Sequence, residues 1–138
     1  KLNDNMGSYI VKQITKLMID KNINIESSNI LIMGLTFKED CPDIRNTRII
    51  DLIEDFNNLN CSVSVYDPWV NKNQAIHEYG IEIIDKPIEG SYDAIILAVA
   101  HSEFKDMSMD KIKALGKKNS IVYDIKYLFK AKEVDGRL

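Results

Sequence analysis

The sequence predicts an α/β fold: a doubly wound parallel sheet with helices on both faces. Three observations carry this reading. Short apolar runs of strand length alternate along the chain with apolar stripes at three- and four-residue spacing. The runs at residues 30–33 and 94–100 are apolar throughout, as in strands covered on both faces. Strands separated by helices are joined by crossovers, and crossovers give parallel pairs.

The elements follow in order. Met6, Ile10, Ile14, Leu17 and Met18 recur at helical steps, predicting an amphipathic helix already running at residue 4. It ends in the polar stretch 21–29. Residues 30–33 form the first strand, closed by Gly34. Ile49, Leu52, Ile53, Phe56 and Leu59 make the next helical stripe, with Asn46 or Thr47 as its N-cap. Residues 62–66 alternate and stop at Asp67-Pro68, where the proline ends ladder pairing. A polar helix is predicted from about residue 71 to residue 79, with Gly80 as C-cap, then a short strand at 81–84. Gly90-Ser91-Tyr92-Asp93 leads into the strand at 94–100. Ser108 caps a helix that runs to Leu115 and ends at Gly116, and residues 120–124 are the last strand. The tail from residue 130 to 138 is too polar to assign. No internal repeat or long linker interrupts the alternation, and 138 residues suffice for one domain to bury a core without disulfides or metals.

Composition narrows the partners. A net charge of -3 favours neither nucleic acid nor an acidic membrane surface. The apolar runs fall far short of the roughly 20 residues a membrane span needs, and no basic-then-apolar leader stands at the front, so secretion is not expected. Two cysteines, Cys41 and Cys61, make no disulfide scaffold and suit a reducing cytoplasm. His77 and His101 are far apart and lack a ligand-like spacing with the cysteines, so no metal site is expected.

In an open parallel sheet, ligands bind beyond the carboxyl ends of the strands. The segment Gly34-Leu35-Thr36-Phe37-Lys38-Glu39-Asp40-Cys41-Pro42-Asp43-Ile44-Arg45-Asn46-Thr47 follows the first strand there. It exceeds the roughly two to six residues typical of such a connection. Lys38 and Arg45 stand near the amino end of the next helix, whose unpaired N–H groups and partial positive charge suit phosphate. The segment is not a dinucleotide fingerprint: Gly34 stands alone, and Asp67 lies 33 residues on against an expected ~20. Nor does it contain the Gly-Lys-Ser/Thr of a Walker loop. From the residues alone, two readings stand: a phosphate-type site, or a charged surface loop in which Lys38 pairs with Asp40 or Asp43.

Other reactive side chains read as structural. Cys41 has carboxylates around it and no histidine near it in sequence, which argues for loop shape rather than nucleophilic chemistry. Cys61 starts a strand and belongs to the core. His101, just past the apolar strand, is read as a capping or loop-stabilising residue, Asp67 as a turn residue, Trp69 as a cover over the sheet edge and His77 as a solvated helix residue.

The string from Gly34 to Asn46 closely resembles the signature of the C-terminal domain of the UDP-glucose/GDP-mannose dehydrogenase family. With Cys41-Pro42-Asp43 and Arg45-Asn46, it looks most like the branch oxidising UDP-N-acetylhexosamines for bacterial surface polysaccharides. Asn3-Asp4-Asn5-Met6-Gly7 resembles the end of the family's long central helix, and Tyr66-Asp67-Pro68 the end of its next strand. Asp124-Ile125-Lys126 stands where many members have Asp-Gly-Arg.

The resemblance implies a Rossmann-like, UDP-sugar-binding domain at 23–138, preceded at 1–22 by the end of a dimerisation helix. It further implies a cytoplasmic, homodimeric enzyme that oxidises the sugar C6 alcohol to a carboxylate, using two NAD and a cysteine-linked intermediate. The nucleophilic cysteine, a catalytic lysine and the NAD-binding glycine loop would lie upstream, so no catalytic residue is expected here and the chain alone is expected to be inactive. Phe37 and Lys38 match positions that contact the UDP-sugar, and Arg45 one that reaches across to NAD on the other domain. Lys126 falls where a substrate-binding arginine is frequent; lysine keeps the charge but loses the bidentate fork. The alternatives are a UDP-glucose or UDP-mannosamine-type dehydrogenase domain, a stand-alone nucleotide-binding module and a protein-interaction module. Against the stand-alone module, the chain opens inside a helix with no cap before it.

Overall fold

The structure is a computed structural model describing residues 6–138; the expected helical start at residue 4 and the Asn3–Asn5 part of the resemblance lie outside them. Helix α1 (Met6–Asp20) leads into β1 (Asn29–Met33), α2 (Ile49–Asn58) and β2 (Ser62–Tyr66). Then come α3 (Lys72–Tyr79), β3 (Tyr92–Leu97), the short α4 (Ser102–Lys105) and α5 (Met109–Leu115). Strand β4 (Gly116–Asp124), a 3-10 turn (Ala131–Glu133) and β5 (Gly136–Arg137) complete the chain. The five strands form one parallel sheet in the order β2-β1-β3-β4-β5.

Strand periodicity divides the core in two. Ile30, Ile32, Ala94, Ile96, Ile121 and Tyr123 face one side, where Ile10, Ile14 and Met18 of α1 and Leu52 and Phe56 of α2 cover them. Leu31, Met33, Ile95, Leu97 and Val122 face the other, against Phe104 of α4 and Ile112 and Leu115 of α5. Each such side chain contributes about 1.5–3 kcal/mol on burial, so slipping a strand by one residue would exchange its two faces.

The structure departs from expectation at the ends of elements. Residues 81–84 do not form a strand: a single bridge joins Val65 to Ile83 before the chain turns away. Neither Asn46 nor Thr47 is the N-cap of α2. Arg48 holds that place, while the Thr47 hydroxyl accepts from the Ile49 N–H at 3.3 Å. Strand β3 begins at Tyr92 and ends at Leu97, because the N–H groups of Ala98 and Val99 turn to the Met33 carbonyl of β1. Helix α5 ends at Gly116 as expected, but Gly116 is extended and already opens β4, ahead of the strand start expected at residue 120.

Tyr123 ties α1 to the sheet: its ring is buried and its hydroxyl donates to the Gln13 side chain. Burial pushes the phenol up to about 12. A raised folded-state pKa means a stability contribution that is complete below the ordinary value near 10 and lost as pH rises towards 12. Denaturant titrations at pH 8 and pH 11.5 should show about 1–2 kcal/mol of alkaline destabilisation attributable to this group, after allowance for solvent screening. Tyr123→Phe should remove that part of the slope; an unchanged slope would place the alkaline transition elsewhere.

Candidate functional site

The chain reverses direction across the sheet between β1 and β3: from β1 it winds to β2 on one side, then returns to β3 on the other. Such a switch point leaves a crevice beyond the strand ends. Gly34 follows β1 with φ +112, and a Cβ there would stand 2.6 Å from Val99 Cβ. Val99 in turn lines a cavity of about 250 Å³. The loop after β1 contributes Phe37 and Lys38 to its walls, and the start of α2 contributes Thr47 and Arg48. Ala98 and Val99 come from the end of β3, and Lys126 from the turn after β4. Three cations, Lys38, Arg48 and Lys126, thus border one crevice at the amino end of a helix, an arrangement suited to a polyanionic group.

The loop is anchored along its length. Leu35 and Ile44 are fully buried. The Phe37 N–H donates to the Asp43 carbonyl at 2.8 Å, and the Tyr79 hydroxyl to the Ile44 carbonyl at 2.6 Å. Asp67, buried at the end of β2, accepts the Leu35 N–H at 2.7 Å, the Thr36 N–H at 3.2 Å and the Trp69 N–H at 2.8 Å. Its turn-holding role is therefore realised, with the added reach to the loop after β1. On the cavity's far side the buried Asp124 carboxylate accepts the Lys126 N–H at 3.1 Å and the Phe129 N–H at 2.9 Å, fixing the turn that carries Lys126.

The carboxylates considered as partners for Lys38 are engaged elsewhere. The Ser102 hydroxyl and N–H donate to Asp40 and hold its carboxyl below the usual range. Arg45 does the same for Asp43 through a two-pronged contact, Nε to Oδ1 at 3.0 Å and a terminal nitrogen to Oδ2 at 3.1 Å. In return, Asp43 raises the Arg45 guanidinium above its ordinary value.

Phe37 and Lys38, adjacent in the loop after β1, and Lys126, from the turn after β4, all line the cavity. Arg45 does not join them: its side chain is 75% exposed and turned to Asp43. Arg48, which sequence reasoning passed over, occupies the cavity wall, with a further contact to Asp51 at 3.2 Å. Its signal was positional, a cation one step before the helical stripe. Cys41 is half-buried in the loop and Cys61 is buried in the core.

The chain is similar in sequence and fold to known nucleotide-sugar dehydrogenases. The UDP-N-acetyl-D-glucosamine 6-dehydrogenases of Pseudomonas aeruginosa and Salmonella typhi are 49% and 48% identical over all 138 residues, which make up 33% and 32% of their own lengths. A UDP-N-acetyl-D-mannosamine dehydrogenase of Methanococcus aeolicus is 35% identical over 91% of the chain and 27% of its own length. Among solved structures, a UDP-D-ManNAc dehydrogenase from Pyrococcus horikoshii superposes with a TM-score of 0.77 at 25% identity, over 98% of this chain and 31% of that one. The chain spans about a third of the length of the curated relatives it matches. Residues 31–131, which carry the loop, the crevice and all three cations, match the model of the UDP binding domain of the UDP-glucose/GDP-mannose dehydrogenase family. The chain belongs to that family.

Proposed function

We propose that this chain is the UDP-sugar-binding domain of an NAD-dependent UDP-sugar 6-dehydrogenase whose substrate is a UDP-N-acetylhexosamine. The observation that carries the reading is the convergence of Phe37, Lys38 and Lys126 on the switch-point cavity, in a chain 49% identical to a UDP-N-acetyl-D-glucosamine 6-dehydrogenase. Lys38 and Arg48 neutralise the diphosphate, assisted by the amino end of α2. Phe37, 44% exposed, offers an aromatic face to the ligand. Lys126 contacts the ligand from the β4 side as a point charge.

NAD belongs to another part of the complete enzyme. Gly34 stands alone where a dinucleotide loop needs three glycines, so these residues do not fit a cofactor pyrophosphate of that kind. Arg45, exposed beside the crevice, is the residue of this chain assigned to reach NAD when the domains close. In the complete enzyme, which this reading makes a cytoplasmic homodimer, α1 (Met6–Asp20) belongs to the pairing-helix segment assigned to 1–22, and residues 23–138 are the sugar-nucleotide domain. Among the described residues, no helix is long and apolar enough to cross a membrane.

Titrating UDP into the chain should give saturable heat that Lys38→Ala diminishes. Mixing the chain with NAD and UDP-N-acetylglucosamine should give no NADH, because the nucleophile is assigned to another segment. Steady NADH production by the purified chain would locate the chemistry here and overturn that division of labour.

A further inference from the structure

Behind the cavity lies an imidazole with no exposed surface. His101 follows β3, with the Trp69 ring stacked at 6.0 Å and the Phe104 ring edge-on at 5.4 Å. It does not line the crevice, yet both of its nitrogens hold the loop that does.

Nδ1 accepts the Asp40 N–H at 3.0 Å. A backbone N–H can only donate, so Nδ1 carries no proton and the neutral ring bears its hydrogen on Nε2. Nε2 lies 2.9 Å from Asp67 Oδ2 and 3.1 Å from the Thr36 hydroxyl oxygen. The Thr36 hydroxyl donates to the Lys38 carbonyl at 2.9 Å, which leaves its oxygen free to accept from the ring. Asp67 binds the same loop through the Leu35 and Thr36 N–H groups. The two contacts of the imidazole therefore bracket residues 37–39, and Phe37, Lys38 and Glu39 all line the cavity.

We propose that His101 is a positioning residue for sugar-nucleotide binding: its nitrogens clamp the loop at Thr36 and Asp40 and so set the place of Phe37 and Lys38. The inference rests on the binding-site reading above and adds the residue that preorganises it. Between the clamped ends, the backbone is tied by the Phe37 N–H bond to Asp43 and by the Thr36 hydroxyl on the Lys38 carbonyl. Without the clamp, the tripeptide must be ordered by the ligand itself, and that conformational entropy is subtracted from affinity. The carboxylate of Asp40 adds to the stiffness, since it caps the first turn of α4 through Ser102, the residue after His101.

His101→Gln retains a donor able to reach Asp67 but loses the ring geometry that serves Asp40 as well. In the complete enzyme it should raise the KM for the UDP-sugar about five- to tenfold, the worth of one or two hydrogen bonds. The KM for NAD and the saturated kcat should stay within about twofold. In a Lys38→Ala background, the same substitution should change the UDP-sugar KM by less than about twofold, because the clamp acts through the segment that carries Lys38. Equal losses in both backgrounds, or parallel losses for both substrates, would make His101 a general structural residue and overturn the proposal. If the glutamine variant fails to fold, Thr36→Val, which has the same shape, removes the hydroxyl arm and should give the same selective rise in KM; no rise would overturn the clamp. Nitrogen NMR of the ring should show an unprotonated Nδ1, and a protonated one would overturn it. A normal Lys38→Ala effect with no His101 effect rejects the clamp alone. An unchanged UDP-sugar KM in Lys38→Ala rejects the binding-site reading and the clamp with it.

Discussion

Gly34→Ala is expected to lower the melting temperature of this chain by about 10 °C or more. Two independent effects coincide at this position. The backbone φ of +112 lies in a region that L side chains rarely adopt, and holding alanine there costs about 1–3 kcal/mol. The added Cβ would stand 2.6 Å from Val99 Cβ and 2.8 Å from the Val99 backbone nitrogen. Overpacking against a neighbour that cannot rotate away adds about 1–3 kcal/mol more. The backbone has little room to yield: the Gly34 N–H donates to the Tyr66 carbonyl of β2, and the preceding Met33 carbonyl receives the Ala98 and Val99 N–H groups. Gly80 serves as the control, since it too has a positive φ, +68, but nothing within 4 Å of an added Cβ. Gly80→Ala should therefore show the backbone term without the clash, about 1 kcal/mol. Thermal unfolding followed by circular dichroism decides the matter. A shift below about 3 °C for Gly34→Ala would show that the ends of β1 and β3 part more easily than the hydrogen bonds indicate.

The same position shows how the sequence encodes the fold and where the encoding becomes non-local. Strands β1 to β4 and helices α1, α2 and α5 were legible because each displays an apolar run, alternation or stripe, whereas the polar helix α3, which buries only Ala75, was marked by its C-cap Gly80. Elements that owe their existence to distant partners were not. Helix α4 spans four residues, less than any stripe can mark, and its start is capped by Asp40, some sixty residues earlier. Strand β5 is two residues long and exists because β4 offers it an edge. Residues 81–84 look like a strand locally, but they touch β2 at a single bridge, and the ion pair between Lys72 and Asp85 follows at once. At the site, the loop motif marked Phe37 and Lys38, and the Asp-Ile-Lys string marked Lys126. The motif also drew attention to Arg45 over Arg48, although Asp43 holds Arg45 outside the cavity and the first turn of α2 brings Arg48 to its wall. The sequence marks His101 as a capping or loop-stabilising residue and Asp67 as a turn residue. That they hold the same loop together, across 34 positions, is a tertiary fact with no local signal.

In the complete enzyme, Lys38→Ala is expected to weaken UDP-sugar binding about ten- to a hundredfold while changing NAD binding little. Arg45→Ala is expected to do the reverse, with a smaller loss of about tenfold. The asymmetry follows from where the two cations stand. Lys38 lines the switch-point cavity, and its carboxylate neighbours Asp40 and Asp43 are taken up by Ser102 and Arg45. Its ammonium is therefore available to a ligand, and a charged hydrogen bond in a partly closed crevice is worth about 1.5–3 kcal/mol. Arg45 projects into solvent and is orientated by Asp43, so on the proposed reading it contributes only when a second domain approaches. Neither substitution removes buried surface, so both variants should melt within a few degrees of the parent. Arg48→Ala and Lys126→Ala should fall with Lys38→Ala rather than with Arg45→Ala, since both border the same cavity. Calorimetric titration of each ligand into each variant separates the cases. Equal small losses for both ligands would return the loop to a solvated charged surface. Losses exchanged between the two ligands would mean that the domains close with Arg45, not Lys38, against the sugar nucleotide.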